Sequence, residues 1–140
     1  MRSLLLLYNV PAGKVAKLRV LCMRLGVKIR QVEPAWYGLP IGVLTEETPP
    51  EVPADIAGEA DDITGEMAVM CGFNGPMLDD FLRGFRQSRI PVIPLKAVLT
   101  EENSKWDSYT LQKELSAEHE ALKQGMRAHG EGTGKGESQP

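Results

Sequence analysis

The chain has 140 residues, 42% of them apolar and 25% charged, with 16 basic residues against 19 acidic ones and a net charge of −3. That length holds about one domain's worth of core, and the composition is that of an ordinary water-soluble globule. Two cysteines far apart, Cys22 and Cys71, exclude a disulfide scaffold, and no apolar run approaches the ~20 residues that cross a bilayer as a helix.

Leu4 to Tyr8 is a short apolar run and reads as a buried strand. The opening apolar letters stop at Tyr8-Asn9 without a small-residue cleavage site and lead straight into a helical pattern. They are therefore not read as a signal peptide, and a cytoplasmic location is expected. Val15, Leu18, Cys22 and Leu25 recur at helical spacing until Gly26, which suits a helix stop. Val27 to Val32 alternates as an extended segment, 33–40 is a loop, and Ile41 to Leu44 reads as a short strand. Between Thr45 and Glu66 every charged residue is acidic, the composition of a flexible linker.

Met67 to Cys71 is a second buried strand, closed by Gly72. Asn74 or Gly75 can cap a following helix, and Pro76 fits its first turn. Met77, Leu78, Phe81, Leu82 and Phe85 form its apolar stripe, and Pro91 lies beyond its end. Val92 to Thr100 reads as extended, with Leu95, Ala97 and Leu99 on one face and Lys96 and Val98 on the other. Asp107 can cap a last helix, with Trp106 as a hydrophobic staple toward Leu111. Its stripe of Tyr109, Leu111, Leu115 and Leu122 ends near Gly125, and the polar, glycine-rich end reads as disordered.

The two strand–helix–strand units share one plan, and Val43 to Glu47 matches Val98 to Glu102 letter for letter, which suggests an internal duplication. The expected fold is α+β: a ferredoxin-like split βαβ sandwich from two duplicated βαβ halves plus a C-terminal helix. Its sheet is expected to be antiparallel, with both helices on one face. A small, mostly parallel α/β sheet is the alternative. The halves cover 1–44 and 67–122, joined by the acidic linker 45–66 and followed by a tail at 123–140, one compact domain in all.

The chemistry is sparse. No metal cluster, catalytic constellation or phosphate loop stands out, so no catalytic residue, metal or cofactor is assigned. Gly72-Phe73-Asn74-Gly75 lacks the spacing of a nucleotide fingerprint and reads as a tight turn. Lys96 interrupts an apolar segment; if helices cover one face, it points to the open one, where it could hold an anion, pair with Glu101 or Glu102, or guard an edge strand. Lys14, Lys17, Arg24 and Lys28 share one flank of the first helix, and Trp36 and Tyr37 lie in a loop; Lys14, Lys17, Arg24, Trp36 and Tyr37 are candidate partner contacts. The basic first third could be an anion or nucleic-acid surface, but overall acidity and the lack of interleaved aromatics favour a solvated face, partly screened by the acidic linker. Cys22 and Cys71 read as inert buried thiols, with a redox pair as the alternative.

At Met70-Cys71-Gly72-Phe73 and Pro94 to Thr100, with Asn103 and Trp106 after, the chain resembles a bacterial domain-of-unknown-function family found mostly in anaerobic Gram-positive bacteria. The resemblance covers most of 4–122 and is strongest in the second half, with Glu101 standing where that family would have proline. It implies no activity, substrate or cofactor, but it raises Gly72, Phe73, Lys96, Asn103 and Trp106 as ligand candidates. The expected function is a non-catalytic regulatory or protein-interaction module working through an open sheet face or edge, where a homodimer could also form. A sensor of a small anion near Lys96 is the alternative, ahead of a thiol-redox protein or a nucleic-acid binder.

Overall fold

A computed structural model describes residues 3–46 and 63–132, with side chains through 124. The chain runs β1 (Leu4–Tyr8), α1 (Ala12–Leu25), β2 (Lys28–Gln31), β3 (Met67–Cys71), α2 (Gly75–Gln87), β4 (Leu95–Val98) and α3 (Ser108–Gly132). Short 3-10 turns lie at Pro34–Trp36, Ile41–Thr45 and Asn103–Lys105. The α+β class, with two βαβ halves and a C-terminal helix, is the one expected.

Local chemistry explains the helix ends. Gly26 closes α1 at φ +75°, a left-handed conformation that glycine adopts without steric cost. Asn74 caps α2 by accepting from the Met77 N–H at 2.8 Å, and Asp107 caps α3 by accepting from Thr110 N–H at 2.8 Å. The last helix continues to Gly132, past the tail boundary expected at 123. Residues 133–140 and 47–62 lie outside the described residues, and with them most of the acidic linker.

The four strands form one sheet in the order β2-β1-β3-β4. The central pair β1–β3 is antiparallel, with Leu6 opposite Val69. Within each half the strands are parallel neighbours, Leu4 to Lys28 and Met67 to Leu95. The pairing is therefore mixed where an antiparallel sheet was expected, because each helix returns the chain to the strand next door.

Both helices lie on one face, over Leu5, Leu7, Ala68 and Met70, and pack there through Leu18, Leu21, Phe81 and Phe85. Alternation sends Leu4, Leu6, Tyr8, Met67, Val69 and Cys71 to the other face, and that face is covered too. Trp36, Tyr37, Ile41 and Leu44 from the first connection and Leu111 from α3 close over it. The open sheet face expected from the sequence does not exist.

Two further expectations change. Ile41 to Leu44 is a 3-10 turn, not a strand. Ile41 N–H donates to Trp106 O at 2.8 Å, and a Cβ on Gly42 would stand 3.2 Å from Ser104 O, so the segment packs against the Asn103–Lys105 turn. Of the five matched letters, Val43–Thr45 lie in a 3-10 turn whereas Val98 ends β4, so the described part of the match gives the duplication no structural support. Of the extended stretch 92–100 only Leu95–Val98 forms a strand, since Pro91 and Pro94 have no N–H to offer a ladder.

Candidate functional site

The parallel pair β3–β4 sends both carboxyl ends to the same edge of the sheet, the end where open sheets with helical crossovers commonly bind ligands. Gly72 turns the chain there at φ +74°, and Phe73 stands edge-on to Phe81 at 5.5 Å. Gly72, Phe73, Val98 and Thr100 line an open cleft of about 430 Å³. Thr45, Thr100, Glu101 and Ser104 are the polar residues at its wall, and no cation lines it among the described residues.

Asn103 builds the loop beside this cleft. Its Oδ1 accepts from Thr100 N–H at 2.8 Å, its own N–H donates to Thr100 Oγ1 at 3.0 Å, and its Nδ2 donates to Val98 O at 3.2 Å. Its Oδ1, its Nδ2 and its backbone N–H each already serve the loop, leaving one Nδ2 donor and one Oδ1 lone pair beyond these bonds. Trp106 packs on the cluster that holds Leu111, as a staple would, and its carbonyl accepts from Ile41.

Residues 66–122 match a family described as a domain of unknown function, DUF3783. No curated protein and no solved structure matches the chain. The DUF3783 segment spans β3, α2, β4, the Asn103 turn and the described part of α3's packed face, and supplies most of the cleft. The match covers the second half alone, a narrower stretch than the 4–122 expected.

Lys96 lies elsewhere. It pairs with Ala68 in the ladder, on the side covered by α1 and α2, which corrects the placement on an open face. Its Nζ donates to Ile93 O at 2.9 Å, toward the opposite end of β4 from Gly72 and Phe73. The five ligand candidates therefore do not form one site. Lys14 reaches the same corner, where its Nζ pairs with Glu66 and donates to Val92 O at 3.0 Å. Burial, then the Lys14 charge, pulls the Lys96 pKa down.

Other candidates are buried. Trp36 and Tyr37 are 9% and 1% exposed and sit in the second core cluster, so neither is a partner contact. Cys22 belongs to the cluster under the helices and Cys71 to the one on the opposite face. The sheet separates them, which rules out the redox pair. Burial pushes the Cys22 thiol up to about 11 and the Cys71 thiol up to about 12, so little thiolate is available to react. Among the described residues no group of three or more His, Cys, Asp or Glu could hold a metal ion, and no helix is long and apolar enough to cross a membrane.

The outer side of α1 was missed. Val15, Leu18, Leu21 and Cys22 are buried, while Val20 is 62% and Met23 76% exposed on the opposite side of the same helix. Lys17, Arg19 and Arg24 surround them, α1 contains no acid, and none of these three cations has an ion-pair partner among the described residues. The signal was in the sequence: at ~100° per residue, Ala16, Val20 and Met23 fall on one line facing away from the core stripe.

Proposed function

We propose that the chain is a non-catalytic protein-interaction module whose contact surface is the outer face of α1. The observation that carries this reading is the exposure of Val20 and Met23 on one helix line, amid cations that have no ion-pair partner among the described residues. A surface helix normally keeps one apolar stripe, turned to the core. A second stripe facing water gains free energy only when something covers it. Lys17 and Arg24, expected as partner contacts, lie beside it. Lys14 does not, being 9% exposed and held by Glu66.

The test is retention of a partner from native extract by the full chain and by a Val20→Glu/Met23→Glu variant. Both positions are solvent-facing, so the variant should melt within a few degrees of the parent. Loss of the retained protein at unchanged melting supports the reading. Equal retention by both chains rejects it.

A second reading is a small-anion site at the corner of Lys14 and Lys96. It is favoured by two ammonium groups donating to the adjacent carbonyls of Val92 and Ile93, with Glu66 the one acid paired to them among the described residues. Phosphate or a dicarboxylate should then raise the melting temperature of the parent and leave Lys96→Ala unmoved. An identical response of the two chains counts against the site.

A further inference from the structure

We infer that the partner laid along α1 is an acidic amphipathic helix, an apolar stripe with Asp or Glu on both sides; this rests on the reading of α1 as the contact face. Ala16, Val20 and Met23 follow at intervals of four and three residues, the spacing by which one helix meets another. Gly13 extends the line by a further step of three, and nothing lies within 4 Å of where its Cβ would stand, so a second backbone has room to approach. Helical rotation places Lys17 and Arg24 on one flank of the line and Arg19 on the other.

Charge decides among the occupants. Burying the stripe against an apolar partner would leave three cations along the rim of the contact, and carboxylates on the partner match them. A second copy of α1 would set the same cations against each other, so this face is a poor homodimer surface. Nucleic acid would use the cations but gain nothing from covering Val20 and Met23. An anionic bilayer is best entered by Trp, Phe or Leu anchors, and the stripe has none of these.

The experiment is fluorescence anisotropy on the full chain, with a labelled helical peptide carrying leucines at heptad a and d positions and glutamates beside them. Two controls replace the glutamates by lysines or the leucines by serines. The acidic amphipathic peptide should bind. Its affinity should fall at least about tenfold in Lys17→Glu/Arg24→Glu and likewise in Val20→Ser/Met23→Ser, and it should weaken as salt rises.

No binding of that peptide, or equal binding of either control, overturns the inference. So does tighter binding to duplex DNA or to phosphatidylserine vesicles, and so does a dimer in sedimentation that Val20→Glu dissolves. If the peptide fails while retention from extract still depends on Val20 and Met23, the contact face stands and only the partner's chemistry is wrong. If retention is also insensitive to them, both fall.

Discussion

The Tyr8 hydroxyl sits 2.7 Å from Ser108 Oγ, and both side chains are fully buried. The bond ties the end of β1 to the start of α3, and burial pushes the phenol pKa well up. Tyr8→Phe should cost about 1–3 kcal/mol, because it strands the Ser108 hydroxyl without water. Tyr8→Phe with Ser108→Ala should recover part of that loss in urea denaturation; additive losses would show that the two groups do not cooperate. The thiols give a pH dependence of definite sign. Both have folded pKa values raised above 9.0, so the unfolded chain releases protons first as pH rises. Their contribution is intact below the ordinary thiol value and is lost as pH climbs toward the folded values. Denaturation midpoints should therefore fall from about pH 9 upward; a flat or rising profile contradicts the buried placement.

At the scale of elements, α2 was legible almost letter by letter. Asn74, Pro76 and the Phe81–Phe85 stripe each do locally what their chemistry favours, and the cap bond forms as read. Helix α1 was only half legible, because it is apolar on two opposite sides and the core side accounts for the periodicity by itself. The contact between the helices was hidden for another reason: it depends on the absence of a side chain. Gly84 is buried, and a Cβ there would stand 2.5 Å from Leu21 Cδ1. Gly84→Val should destabilise by about 2 kcal/mol, and pairing it with Leu21→Ala should return part of the loss in thermal melts. A neutral Gly84→Val would mean the helices sit further apart. The placement of Lys96 was missed because its neighbours were unknown: the pleat told which way it alternates, but not which face the helices occupy.

For the whole molecule, the two βαβ halves and their shared helical face follow from hydrophobic patterning, while the parallel pairing within each half does not. Apolar strands of five residues fit a parallel or an antiparallel neighbour equally well. The covered second face could have been read. Leu4–Tyr8 and Met67–Cys71 are apolar at every position, and strands of that kind need shelter on both sides. Once Trp36, Tyr37, Ile41, Leu44 and Leu111 supply it, the sheet offers a partner neither face, only the edges at β2 and β4, and attention moves to the helix layer. The α1 surface also lies outside the DUF3783 segment, so the family match and the contact face concern different halves of the chain.

The most direct test of that account is photo-crosslinking in native extract, with the crosslinker placed singly at Val20, Val92 or Leu122, all exposed apolar positions. The prediction is a crosslinked partner from position 20, with none from 92 or 122. Crosslinks from 92 or 122 with silence at 20 would contradict it and move the contact surface off α1.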